Sequence, residues 1–206
     1  AREKSGRSGG ISWANVSNWN SFPATNYVHA DHHALQFAPG SSNTVFACND
    51  GGIFTTTDQC GTWSDLSGGI DIKQYYRMSS SFLTPTLMYA GAQDNGTDKI
   101  TGLNTATRVY GADGEDCLID FTDDNIVFIS TQGGNFMKST DGGVTFNGIG
   151  AGGCDWTSPI IMDANNNNVM YSGGADVFKS TDNGNTWNDV SGALDGSCLY
   201  SLEISP

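Results

Sequence analysis

Three stretches decide the fold: Thr56-Thr57-Asp58-Gln59-Cys60-Gly61-Thr62-Trp63, Ser139-Thr140-Asp141-Gly142-Gly143-Val144-Thr145-Phe146 and Ser180-Thr181-Asp182-Asn183-Gly184-Asn185-Thr186-Trp187. Each reads S/T-T-D-x-G/C-x-T-W/F. A carboxylate can accept the N–H groups of its own turn, a glycine two residues on supplies left-handed backbone, and the closing aromatic has a large apolar face to bury. The pattern therefore predicts a tight turn between short strands, repeated. Asp182 follows Asp141 by about 41 residues and Asp141 follows Asp58 by about twice that, which leaves one unit without the motif.

The missing unit is found from a second repeated feature. An apolar pair precedes each turn, as Val45-Phe46, Val127-Phe128 and Met170-Tyr171, and Met88-Tyr89 supplies the same pair in the gap. Within each unit an alternating apolar strand, a turn, the paired strand, a short strand such as Gly52-Ile53-Phe54, the aspartate turn and a last strand follow in order. Four short strands in roughly 41 residues match the size of a propeller blade. The fold class is all-β, a β-propeller of four-stranded blades, with complete blades at about 29–67, 74–110, 115–149 and 157–191.

The ends extend the pattern. An irregular segment occupies 1–10, and Ser12-Trp13-Ala14-Asn15-Val16-Ser17 matches the stretch after the aspartate turn, so 11–18 is expected as the last strand of a blade. Residues 197–206 alternate like the first strand of a next blade. The two ends could pair into a thin closing blade, or the chain could be a segment of a larger propeller. The segment is the preferred reading, because a blade without its middle strands buries little and leaves an open edge.

Composition agrees with many strands and many turns: charged residues are 15% and glycines number 27 in 206 residues. Nine Lys+Arg against 22 Asp+Glu give a formal charge of -13, which repels phosphate backbones and anionic headgroups and excludes nucleic acid and membrane surfaces as expected partners. No apolar run has the length of a membrane helix. The five cysteines, Cys48, Cys60, Cys117, Cys154 and Cys198, show no zinc-site spacing, and leave both free buried thiols and one or two disulfides open.

The three motifs resemble the Asp-box, or BNR repeat, of sialidases, xyloglucanase-like glycoside hydrolases, sortilin-type receptors and secreted bacterial propellers. His29-Ala30-Asp31-His32-His33-Ala34-Leu35 and Ala92-Gln93-Asp94-Asn95-Gly96-Thr97 are similar to segments of the sortilin-like and xyloglucanase-like secreted proteins. The resemblance implies that the box joins a blade's third and fourth strands, away from the central site. Asp58, Asp141 and Asp182, with Trp63, Phe146 and Trp187, are thus structural. Cys60 in the glycine position makes the first box imperfect, and its turn is expected to be distorted.

Candidates for chemistry lie on or near each inner strand. If His29 to Phe37 is such a strand, alternation puts His29, Asp31 and His33 on one face, a set that could bind ligand or, as the lesser alternative to no metal at all, hold a divalent ion. Asp113, Glu115 and Asp116 form a second acidic group, with Glu115 a further ligand-binding candidate. Glycoside hydrolysis needs two facing carboxyl groups, for which Asp31 with Asp94, Asp113 or Asp116 are the candidates. Trp19, Phe22, Tyr75, Tyr76 and Trp156 could serve as sugar platforms. The arginine cluster of a sialidase is lacking, since only Arg2, Arg7, Arg77 and Arg108 exist. The expected protein is a secreted or cell-surface propeller without cofactor, a non-enzymatic scaffold binding protein or glycan and joined by further blades or chains. The alternative is a xyloglucanase-like glycoside hydrolase acting on a β-glucan.

Overall fold

A computed structural model describes residues 13–70, 73–103, 105–192 and 194–205. The expected segment 1–10, residues 11 and 12 and Pro206 lie outside the described residues. The chain divides into two compact units, Ala1–Ile72 and Lys73–Pro206, each taken by itself.

The first unit holds one antiparallel sheet, β1 (His32–Phe37), β2 (Val45–Asn49), β3 (Gly52–Thr56) and β4 (Ser64–Asp65), in sequential order. Strict alternation buries Val45, Ala47 and Asn49 on β2 and Phe54 and Thr56 on β3. Val28, Ala47 and Phe54 form its core, with Tyr27 and Trp63 packed against them.

Three more sheets of the same design make up the second unit: β5 (Arg77–Ser80), β6 (Met88–Ala92), β7 (Gly96–Ile100) and β8 (Ala106–Tyr110); β9 (Gly114–Asp120), β10 (Asp123–Thr131), β11 (Asn135–Ser139) and β12 (Asn147–Gly148); β13 (Ile160–Asp163), β14 (Asn166–Gly173), β15 (Val177–Ser180) and β16 (Asn188–Asp189). No helix occurs among the described residues, so none is long and apolar enough to cross a membrane. The chain is all-β, and its sheets are four-stranded antiparallel meanders of propeller-blade type.

Strand β9 explains how the second unit coheres. Its Cys117 and Ile119 pack with Leu87 and Tyr89 of the preceding sheet and with Val127 and Ile129 of their own. Leu118, on the opposite side, packs with Phe128, Ile160 and Met170 in the cluster shared with the following sheet. Such a strand must be apolar on both faces, and Cys117-Leu118-Ile119 is. Tyr89, Phe128 and Met170 are fully buried, each contributing on the order of 2 kcal/mol by leaving water.

The two outer strands expected at 11–18 and 197–206 are not formed as paired strands among the described residues. Residues 13–18 are tied by the Trp63 indole N–H, which donates to Val16 O at 3.1 Å. Residues 197–205 are held by Leu199 N–H to Gly174 O at 2.9 Å and by the Cys154–Cys198 disulfide. Neither stretch has a neighbour offering a full backbone ladder. Cys48, Cys60 and Cys117 are free thiols.

The aspartate turns share one geometry. Asp141 Oδ1 accepts from the Ser139 hydroxyl (2.7 Å), Val144 N–H (3.0 Å) and Thr145 N–H (2.9 Å), and Oδ2 accepts from the Thr145 hydroxyl at 2.6 Å. Asp182 repeats this with Ser180, Asn185 and Thr186. The first turn keeps this network but for one bond: Asp58 accepts Thr56 Oγ1, Thr62 N–H and Thr62 Oγ1 at 2.8, 2.9 and 2.8 Å, while Gly61 N–H, in the place of Val144 and Asn185, points to Asp58 O at 3.4 Å. Its backbone carries the cost instead, because Gln59 (φ 61°) and Cys60 (φ 68°) both occupy left-handed conformation where the second turn has Gly142 and Gly143. Replacing Cys60 by glycine is expected to raise stability by about 1 kcal/mol, measured by denaturant midpoint. An unchanged or lowered midpoint would show that Cys60 is unstrained.

The same bonds fix the turns' response to acid. Hydrogen bonds from Thr186 and Ser180 hold the Asp182 carboxyl at about 2, below the ordinary 3.8, and those from Thr145 and Ser139 do the same for Asp141. A folded-state value below the unfolded one makes the contribution complete above the unfolded value and lost as pH falls through the folded value. The melting-temperature gap between wild type and Asp182→Asn is therefore expected to be constant above about pH 4 and to close toward about pH 2. A gap that persists at the acid end removes the ionised carboxylate from the account.

Candidate binding face

Topology separates the aspartate turns from the candidate residues. In a four-stranded meander the start of the first strand, the second-to-third turn and the end of the fourth strand lie at one end of the sheet. The aspartate turns join third to fourth strands and lie at the other. His29 to Asp31 directly precede β1, and Asp113 directly precedes β9, whose opening residues include Glu115 and Asp116. All of them belong to the inner-strand end of their own sheet.

In the first unit, β1 begins at His32 rather than His29, and Asp31 has φ 55°. A left-handed residue interrupts strict alternation, so His29, Asp31 and His33 do not share a face of one continuous strand. The register of β1 also shifts between His32 and Ala34. His33 Nε2 meets Asp50 Oδ1, in the turn between β2 and β3. His29 packs on the same turn: a Cβ added to Gly51 would lie 2.4 Å from His29 Cγ, so only glycine admits the ring there. Burial holds the His32 imidazole below its ordinary value despite neighbouring Asp31.

These residues border a pocket of about 400 Å³ lined by Asn15, Asn18, Trp19, His29, Asp31 and His32, among others. Trp19 remains 55% exposed. An aromatic face with amide, imidazole and carboxylate groups around it suits a polar ligand that also has an apolar face. Asp31 is the one carboxylate among the described lining residues.

In the second unit the acids are engaged by the protein. Asp94, at φ 59° in the β6–β7 turn, donates its N–H to Asp113 Oδ1 at 2.7 Å, and Asp113 N–H donates to Gln132 Oε1 at 3.2 Å. Asp116 Oδ1 accepts Cys117 N–H at 2.9 Å while Arg77 Nε stands 3.9 Å from Oδ2. Burial pushes the Asp116 carboxyl up to about 6, against the opposing pull of Arg77 and of backbone N–H groups. Glu115 has no exposed surface; its Oε2 accepts the Thr157 hydroxyl, and burial raises its carboxyl. Gly91 allows this packing, since a Cβ there would fall 2.3 Å from Glu115 O.

Within the second unit Asp94, in the β6–β7 turn, bonds Asp113 at the start of the next sheet, beside Glu115 and Asp116, and within the first unit His29, Asp31 and His33 lie at one sheet end. Sequence reasoning singles out neither Asp50 nor the pocket's Asn15 and Asn18. Asp50 was signalled by its place in a β2–β3 turn, whereas the asparagines fall at 11–18, read as a blade's last strand and so away from the inner-strand end.

No protein-family model matches the chain, and no curated protein matches it in sequence. Solved structures do. An ancestral GH74 enzyme is 17% identical with a TM-score of 0.53 over 81% of this chain and 25% of its own. The GH74 xyloglucanase from Xanthomonas campestris is 14% identical with a TM-score of 0.49, over 83% of this chain and 32% of its own. YCF48 bound to D1 peptide is 9% identical with a TM-score of 0.36, over 78% and 68%. The chain spans about a quarter of the length of the first of these. The likeness to the first, together with the four sheets, defines the class as β-propeller blades.

Proposed function

We propose that the chain is an Asp-box propeller segment that acts as a non-enzymatic binding scaffold, taking a glycan in the Trp19 pocket. One observation carries the reading: the pocket pairs an exposed indole with amide and imidazole donors beside Asp31, while Asp50, with a carboxylate oxygen within 4.8 Å of one on Asp31, is taken up by His33. A sugar ring presents an apolar face to stack and hydroxyls to bond, so this set can hold it. Hydrolysis by the usual route needs a second carboxyl group across the scissile bond. Glu115 and Asp116, whose raised carboxyls would suit a general acid, are 0% and 8% exposed, and a buried acid does not reach a glycosidic oxygen.

An extracellular or cell-surface setting is part of the proposal and is supported by the Cys154–Cys198 disulfide, which persists in oxidising compartments. The rival reading, hydrolysis of a β-glucan, draws on the fold shared with GH74 enzymes and on exposed Asp31.

Titration of an oligosaccharide panel against the chain, followed by tryptophan fluorescence and calorimetry, is expected to show binding without product. Trp19→Ala is expected to weaken it by roughly tenfold or more, the loss of one stacking anchor. Product release that vanishes in Asp31→Asn would establish the hydrolase instead. Absence of binding across the panel would sink the glycan reading.

A further inference from the structure

The second unit repeats a contact that the aspartate motif does not reveal. Three cross-strand pairs, Tyr89 with Lys99, Phe128 with Lys138 and Tyr171 with Lys179, occupy the same place in successive sheets. In each the ammonium stands over its partner's ring, 5.8, 5.4 and 5.2 Å from the centroid. Each lysine precedes the aspartate position of its own blade by three residues.

The first two pairs grip the aspartate turn of the next sheet. Lys99 Nζ and Tyr89 Oη both donate to Gly142 O at 2.7 Å. Lys138 Nζ donates to Asn183 O at 2.6 Å and to Asn185 Oδ1 at 3.1 Å. Gly142 and Asn183 are the same position, one residue after the aspartate. The glycine after that lies on the ring: a Cβ on Gly143 would come 2.9 Å from Tyr89 Oη, and one on Gly184 would come 2.7 Å from Phe128 Cε1. The turn's carbonyl thus meets an ammonium, its glycine meets an aromatic face, and Tyr89 and Phe128 are both fully buried beneath it.

The third pair is built alike and stands open. Tyr171 and Lys179 are only half-buried, and Lys179 has no hydrogen-bond partner among the described residues. The neighbouring position is nonetheless started. Leu199 Cβ lies 3.2 Å from where Gly173 would carry a Cβ, the place that Glu115 takes against Gly91 two sheets earlier. The order along the chain gives the same correlation. Where Thr55 replaces lysine, the following blade has lost its aspartate turn; where Lys99 and Lys138 stand, it is kept.

We infer that Tyr171 and Lys179 form a docking socket for the aspartate turn of a further blade, the one that residues 197–205 open. The socket requires a turn with glycine two residues after its aspartate and a free backbone carbonyl between them. This deepens the reading of the chain as a propeller segment and is independent of the Trp19 pocket, so either can fail alone.

Amine acylation of the intact chain, followed lysine by lysine by mass spectrometry, is expected to label Lys179 faster than Lys138. Extending the chain after Ser205 with a copy of residues 121–149, which brings a complete turn, is expected to slow Lys179 to the rate of Lys138. Valine in place of the glycine two residues after the copied aspartate is expected to restore fast labelling. Labelling of Lys179 that ignores a folded extension overturns the socket. A second measurement needs no extension: Lys138→Met is expected to lower the melting temperature of the chain and Lys179→Met to leave it unchanged. Equal losses would mean that Lys179 is already engaged, which also overturns it.

Discussion

The fold depends on one carboxylate bonded to its own turn. A turn joining a four- or five-residue strand to a two-residue one has few ladder bonds to hold it, and β4, β12 and β16 are two residues long. Asp58, Asp141 and Asp182 supply what the short strand cannot, by gathering the N–H groups and the threonine hydroxyl of the turn onto two oxygens. Because those oxygens are exposed, the gain is geometric more than electrostatic. The turn is set in one shape, with two successive left-handed residues, and can then be recognised by a neighbour.

That shape links local structure to packing. A rigid turn with a glycine on its outer surface offers a flat patch and a carbonyl, and the preceding blade answers with a ring and an ammonium. The polar strands of the second unit are tied together in the same way at Asp120, where the pull of burial is outweighed by hydrogen bonds from Thr122, Asn167 and Asn183, the last within a turn of the next sheet. A propeller lacks one continuous core; it has a small apolar cluster between each pair of sheets, and such clusters need directional contacts to fix their angle. Buried charges used in this way specify geometry when every partner is present.

The blades were legible because their signal is repeated: motif, apolar pair and spacing recur together, and four sheets appear where four units were counted. What escaped was whatever depends on a single copy. Asp31 takes left-handed backbone, so the alternation read across His29 to His33 stops short of β1. The effect is local to a residue type that tolerates that conformation. Cys60 was expected to distort its turn, but the carboxylate network outweighs a left-handed cysteine. Glu115 and Asp116 read as candidates for ligand binding and catalysis, and their burial comes from Gly91 and from the sheet beyond, information that lies about 25 residues or more away in sequence.

The separation of the two ends of each sheet gives the functional reading its logic. Residues that close the third-to-fourth turn cannot also shape the inner-strand end, so the repeated sequence is free to stay uniform while the other end varies. Variation is what the structure shows there: an indole, histidines and the carboxylates of Asp31 and Asp50 in the first unit, engaged acids and an arginine in the second, and a glycine-lined groove of about 630 Å³ near Tyr110, Gly134, Phe136 and Gly152. Asp113, Glu115 and Asp116 at the second unit's end already accept hydrogen bonds, so none of these three is a free carboxyl of the kind that hydrolysis demands. A scaffold places no such demand. It needs only an exposed face whose side chains are positioned before the ligand arrives, and Gly51 beneath His29 shows how the fold positions one.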